Sequence, residues 1–343
     1  MSTRHRPVAI VATALTPVYE SFEGPESALV MRCVNELLST TGLPRSDVDF
    51  TIAGSCDYLG GAPFSFVMNL EGIGAWPPVY ESHVEMDGAW ALFEAWLRLQ
   101  CGDVDTALVI GSGRASTGDQ REVFSLQTDP YTMAPLGLDP VSLAGIQARA
   151  LLDAGLATEA EFAATAARSR PGSSVADLLA AEYWSTPLHR HDVAVLGDGA
   201  AALILVAGDR SRELTSDPVW ITGMDHRVES HHPGLRDLVR SPSTRRAAEG
   251  AGAHGGPIDV AELMVVHSHE EAILRAALDL TDATAINPSG GPLAGHPVMA
   301  TGLTRVIEVA RRIAAGEAGR GLAHASSGPC LQQNLVAVLE GEH

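Results

Sequence analysis

The 343-residue chain contains no lysine; all 23 of its fixed side-chain cations are arginines. That absence excludes a lysine Schiff base as the reacting group. Acidic side chains number 42, so the net charge is −19. A surface of that sign excludes a general nucleic-acid binder, whose affinity comes from neutralising phosphates. Cysteines are few and scattered, at Cys33, Cys56, Cys101 and Cys330. With no Cys-x-x-Cys pair and no His/Cys metal spacing, they imply a reducing, cytoplasmic compartment and no disulfide framework. No apolar run is long enough to span a membrane. The opening "PVAIVATAL" lies in an apolar run broken at Thr13 and Pro17, and reads as a first buried strand rather than a signal peptide.

What is present is core material. Hydrophobic residues make up 45% and charged residues 19% of the chain, a globular composition. Strand-like and helix-like patterns alternate, which predicts a layered α/β fold with buried sheets. "ESALVMRCVNELLSTTG" and "GAWALFEAWLRLQCG" read as helices with glycine stops, and "VDFTIAGS" and "VDTALVIGSG" as strands. In the second helix Met86, Trp90, Phe93 and Leu97 recur at helical spacing and read as core. A stretch from Gly118 to about Asp139 looks like an irregular insertion, and "LRDLVRSPSTRRAAEGAG" reads as one helix. The theme restarts after residue 212. This predicts two successive halves, 1–212 and 213–343, with a loop insertion at about 118–150.

The segment "INPSGGPLAGHPVMATGLTRVIEVARRI" carries the most chemistry. Ser289, Gly290 and Gly291 permit a tight turn with close backbone approach to a ligand. A helix begins near Val298, so its N–H groups and dipole converge near His296. A histidine there can donate to a developing oxyanion or move a proton, or it can be a satisfied turn residue.

"NPSGGPLAGHPVMATGL" resembles the C-terminal signature of the thiolase superfamily. "CGDVDTALVIGSGRAS", "PLHRHDVAVLGDGAAALIL" and "GLAHASSGPCLQQNLVAVLEG" resemble further family segments, so the likeness covers nearly the whole chain. It is nearest the sterol carrier protein x branch, and within it the actinobacterial lipid-transfer-protein-like homologues tied to steroid side-chain breakdown. The resemblance implies a five-layered αβαβα sandwich of two similar halves, a homodimer, and an acyl-CoA thioester as substrate, with no permanently bound cofactor or metal. It implies that His296 is catalytic and that Ser289, Gly290 and Gly291 belong to the ligand-holding loop.

The departures from the family are chemical. Registering on Gly88 and Gly102 puts Glu85 where the family has its nucleophilic cysteine. A carboxylate is a poor acyl acceptor for thiolysis. It can be a general base, with burial raising its pKa, or it can cap the helix together with Asp87. Registering on Glu262-Leu263 replaces the family's next polar group by Met264 and Val265. His267 and His269 follow, and a shifted register puts His269-Glu270 in that role. The second catalytic cysteine falls at His324 or near Cys330, depending on which end of the last hairpin is aligned. One reading is a lyase that cleaves a β-hydroxyacyl-CoA by retro-aldol chemistry, beside a small OB-fold acyl-CoA-associated partner. The others are an acyltransferase using Cys330 and a non-catalytic acyl-CoA or lipid-binding subunit.

Overall fold

The computed structural model describes residues 5–61 and 63–342. Its strands are β1 (Val8–Leu15), β2 (Phe50–Gly54), β3 (Glu81–Val84), β4 (Thr106–Arg114), β5 (Tyr183–Ser185), β6 (Leu188–His189), β7 (Asp198–Ala207), β8 (Val219–Val228), β9 (Val260–Leu263), β10 (Ala285–Ile286), β11 (Arg320–Ser327) and β12 (Gln333–Glu340). Strands β5 and β6 form a small hairpin. The other ten run in the order β10-β9-β11-β12-β8-β1-β7-β4-β2-β3. Read outward from the middle, β1-β7-β4-β2-β3 and β8-β12-β11-β9-β10 match strand for strand. In each set the first two junctions are antiparallel and the last two parallel. The sets join edge to edge only where Ala9 and Ile10 pair with Trp220 and Val219.

Because strand side chains alternate, each sheet has two apolar faces, and both are buried. Ile52, Val109, Leu203 and Leu205 of one sheet share a central core with Ala323, Leu335, Ala337 and Leu339 of the other. Two helices fill that middle layer, Gly88–Cys101 and Thr301–Ala314. On the first sheet's outer face, Leu108, Ile110, Ile204 and Val206 pack against Leu29, Val30 and Leu37 of the helix Glu26–Thr41. Across the second sheet, Leu322, Val336 and Val338 meet the helices Pro242–Gly250 and Glu270–Ala277. The result is five layers, αβαβα.

Several sequence expectations change in detail. Leu97 is exposed, and Leu92, Ala95, Trp96 and Leu99 carry the burial of that helix with Trp90. The insertion is more ordered than its composition implies. Asp119 and Asp139 cap helices Gln120–Leu126 and Pro140–Asp153, each accepting two backbone N–H bonds. The helix expected from Leu235 starts only at Pro242, because Ser241 caps it and proline takes the first helical position.

The two central helices meet at Asp87. Its buried carboxylate accepts from Ala89 N (2.8 Å) at the start of its own helix. It also accepts from Gly302 N (2.8 Å) and Leu303 N (3.0 Å) at the start of the other. Glycines make room for this junction: a Cβ on Gly88 would stand 2.8 Å from the Gly111 Cα, and one on Gly111 would stand 2.8 Å from the Met299 carbonyl oxygen. Asp87→Ala removes the cap of one helix and orphans two buried N–H groups of the other. We expect a loss of about 3 kcal/mol or more, read as a lower urea midpoint, with Asp87→Asn losing less.

Candidate active site

His296 lies in the loop between β10 and the second central helix. Its backbone is laced to the segment 192–197: His296 N donates to the Val195 carbonyl (2.8 Å) and Gly197 N to the His296 carbonyl (3.2 Å). The same segment binds the turn after β9. Ala194 N donates to Val266 O (2.8 Å), Ser268 N to Asp192 O (2.8 Å) and Ser268 Oγ to Asp192 Oδ1 (2.6 Å). One strip of chain therefore fixes His296 and the His267 turn relative to each other.

In that turn His267 Nδ1 is 2.9 Å from Glu270 Oε1. The other carboxylate oxygen of Glu270 accepts from Val266 N (2.9 Å) and His267 N (3.1 Å). Burial pushes the Glu270 carboxyl up, but the adjacent His267 and these N–H donors hold it below the usual range. An ionised Glu270 has no hydrogen to give. The hydrogen of this pair therefore sits on His267 Nδ1, which leaves Nε2 as the nitrogen that can give up or take a proton. His267 is partly buried. The arrangement is that of a carboxylate-oriented general base.

His296 is buried, with 8% exposure. Burial lowers its pKa to about 4, with the nearby His267 acting in the same direction, so the ring is neutral at physiological pH. Its Nδ1 lies 2.7 Å from Thr301 Oγ1. His269 and His324 are fully buried, and burial lowers them to about 3 and about 4. Each bonds an amide: His269 Nε2 to Gln147 Oε1 at 3.1 Å, and His324 Nε2 to Asn334 Oδ1 at 2.9 Å. The Glu270 charge acts on His269, His296, His324 and Cys330 alike, so this carboxylate is the electrostatic centre of the group.

The other sequence candidates stand differently. Glu85 is exposed and accepts the Asp57 N–H at 2.6 Å. It was expected to be either a base tuned by burial or a helix cap. It is not buried, because it follows β3, the outermost strand of its sheet, and the cap of the central helix is Asp87. Cys330 is buried with Sγ directed at the Leu143 carbonyl (3.5 Å), and burial pushes its thiol up to about 12. Ser289 donates from N (3.0 Å) and Oγ (2.7 Å) to the buried Glu262 carboxylate, which also pairs with Arg305 at 2.5 Å. Gly290 and Gly291 take positive φ of 94° and 64° in that turn. The loop's polar atoms are thus engaged with β9 and the second central helix. Met264 and Val265, in place of the family's polar group, are buried. His231 accepts from Asp129 N and His232 from Gly234 N, as turn residues do. Arg245 pairs with Asp279 at 3.1 Å. Among the described residues no group of three His, Cys, Asp or Glu side chains can hold a metal ion, and no helix is long and apolar enough to cross a membrane.

In the solved structures the same architecture recurs. An acetyl-CoA acetyltransferase from Bacillus anthracis superposes with a TM-score of 0.78 at 17% identity, over 99% of this chain and 100% of that one. An Ltp2-ChsH2(DUF35) aldolase superposes at 0.81 and 18% identity, over 96% and 97%. The chain has the thiolase fold. Sequence relatives agree in part. The acetyl-CoA acetyltransferase of Methanothermobacter thermautotrophicus is 31% identical over 163 residues, and the 3-ketoacyl-CoA thiolase of Idiomarina loihiensis 30% over 149. These matches cover 39% and 42% of this chain and span only 41% and 38% of those relatives. No family model matches. The partial sequence matches, to an acetyl-CoA acetyltransferase and a 3-ketoacyl-CoA thiolase, agree with that fold.

On this thiolase fold the pair His267–Glu270 is what sequence reading failed to single out. Its signal is the i,i+3 spacing at a helix start, but the alignment placed Glu270 beside His269 instead.

The buried histidines make a pH prediction. His269, His296 and His324 have folded pKa values below the unfolded value of about 6.5. Each contributes stability that is present above pH 6.5 and is lost as pH falls toward 4. Asp87, which burial pushes up to about 7, runs oppositely, gaining stability as pH falls. Three against one, the protein loses on the order of 3 kcal/mol between pH 7.5 and pH 5. Urea midpoints across that range test this, and His324→Gln flattens the slope.

Proposed function

We propose that the chain is a lyase that cleaves the Cα–Cβ bond of a β-hydroxyacyl-CoA by retro-aldol chemistry. The observation that carries this reading is the His267–Glu270 pair held beside a neutral His296 in a thiolase fold; the family resemblance, which puts Glu85 at the cysteine position, supports it. The fold likeness to an aldolase supports it. His267 Nε2 takes the β-hydroxyl proton. The Cα–Cβ bond breaks, its electrons pass into the thioester, and a ketone or aldehyde leaves. His296 Nε2–H donates to the enolate oxygen. The proton on His267 then returns to the α-carbon, giving a shorter acyl-CoA. Atoms balance without water or free CoA, and no acyl-enzyme forms. A role for Glu85 would lie at the solvent-facing rim.

The substrate class, a CoA thioester of a lipid or steroid side chain, comes from the family resemblance. So do a homodimer and a small OB-fold acyl-CoA-associated partner; the DUF35 protein named with the aldolase neighbour supports the partner.

The purified protein is mixed with β-hydroxyacyl- and β-ketoacyl-CoAs, with and without free CoA and with and without such a partner, and products are read by mass spectrometry. We expect a carbonyl product plus a shorter acyl-CoA without added CoA. His267→Gln and Glu270→Gln should each lower kcat/KM by about 10²-fold or more. CoA-dependent shortening of a β-ketoacyl-CoA, with an acyl mass lost in Cys330→Ala, means acyl transfer instead. Unaltered substrates in every combination mean a binding subunit.

A further inference from the structure

Thr301 stands between His296 and a small cavity of about 40 Å³, lined by Thr16, Thr301, Thr304 and Arg305 with Gly199 and Pro297. The space is enough for an ordered water, which needs two or more polar partners. Arg305 is 5% exposed, and its Nε is buried with no acceptor in the protein. The neighbouring hydroxyls have no hydrogen to offer the cavity. Thr16 Oγ1 donates to the Ala200 carbonyl (3.4 Å) and Thr304 Oγ1 to the Ala300 carbonyl (2.7 Å). Both retain lone pairs and can only accept. Among the described residues Thr301 Oγ1 has one hydrogen-bond partner, His296 Nδ1.

We propose that this cavity holds one water that fixes the tautomer of His296 through Thr301. The water accepts from Arg305 Nε–H and donates to Thr301 Oγ1; its second hydrogen goes to Thr16 or Thr304. With one lone pair taken by a hydrogen of the water, the Thr301 hydroxyl has His296 Nδ1 as the remaining partner for its own hydrogen. His296 then carries its own hydrogen on Nε2 and presents a donor, the complement of His267, which presents a lone pair. Thr301 is a positioning residue, and Arg305 reaches the site through the water. Arg305 is itself held by Glu262. The chain of contacts thus runs from a buried ion pair to the ring that holds the oxyanion. The catalytic meaning of the tautomer rests on the lyase reading; the tautomer itself does not.

The test is ¹⁵N NMR of histidine-labelled protein at pH 7.5, with the His296 signals assigned by their loss in His296→Gln. We expect wild type to show Nδ1 unprotonated and Nε2 protonated. Thr301→Val should mix the two tautomers, and Thr301→Ser should restore the wild-type pattern. If the lyase activity is present, Thr301→Val lowers kcat about tenfold or more with KM little changed. A wild-type His296 protonated on Nδ1 overturns the proposal, as does a tautomer unaltered in Thr301→Val. Should Thr301→Val not fold, the wild-type and Thr301→Ser spectra still decide. The expected spectra with no cleavage of any acyl-CoA would leave the relay standing and remove the lyase reading.

Discussion

The buried carboxylate of Asp87 closes the first turns of both central helices. A helix start leaves N–H groups without partners and carries a partial positive charge. Two such starts brought together in an apolar layer would be costly, and a single carboxylate between them satisfies both. The geometry of the site follows from this junction. The first turn of Thr301–Ala314 has its N–H groups on Asp87, its threonine on His296 and, one turn on, its Arg305 on Glu262. Each contact fixes the rotation of that helix, and together they fix where His296 stands. The turn has little freedom to adjust, because Gly111 leaves no room for even one methyl group.

Burial treats the ionisable groups of this interior in two ways. At Glu270 the adjacent His267 and backbone N–H donors outweigh burial and favour the anion, whereas at Asp87 burial outweighs three N–H donors and pushes the carboxyl up to about 7. Histidines give up their charge, because desolvation outweighs the Glu270 field at His269, His296 and His324. The outcome is the Glu270 carboxylate among the neutral rings of His269, His296 and His324. A histidine kept neutral by burial, near one whose Nδ1 is bonded to a carboxylate, shows environment and not residue type setting what each ring can do.

Much of the fold is legible from pattern. Alternation buried both faces of the sheets, and the stops at Gly42 and Gly102 fall where left-handed backbone ends the helices. His296 is legible because its loop is long and unusual. The rest depends on contacts far apart in sequence. That Asp87 caps its own helix can be read two residues away, whereas its bonds to Gly302 and Leu303 span 215 and 216 positions. The His267–Glu270 pair hides in an ordinary helix-start spacing, since acidic residues belong there whether or not they orient a base. Leu97 obeys the helical period yet faces outward, because the buried arc is centred on the row Leu92, Ala95, Trp96 and Leu99, rotated from the one on which Leu97 lies.

The thiols carry the argument about reaction type furthest. Covalent acyl transfer needs a thiolate, and a thiolate needs a cation, a helix start or a base beside it. Burial pushes Cys33 and Cys330 to about 12, and Cys56 is raised by burial and by the Glu85 charge. Cys101 is exposed at the C-terminal end of its helix. Glu85, two residues ahead of the Asp87 junction, brings negative charge near Cys56 and so disfavours a thiolate there. With Cys33, Cys56 and Cys330 held toward the neutral thiol, the polar groups gathered at the site are imidazoles. The proposed retro-aldol step, which moves one proton off an oxygen and back onto a carbon with an enolate between, asks for no thiolate.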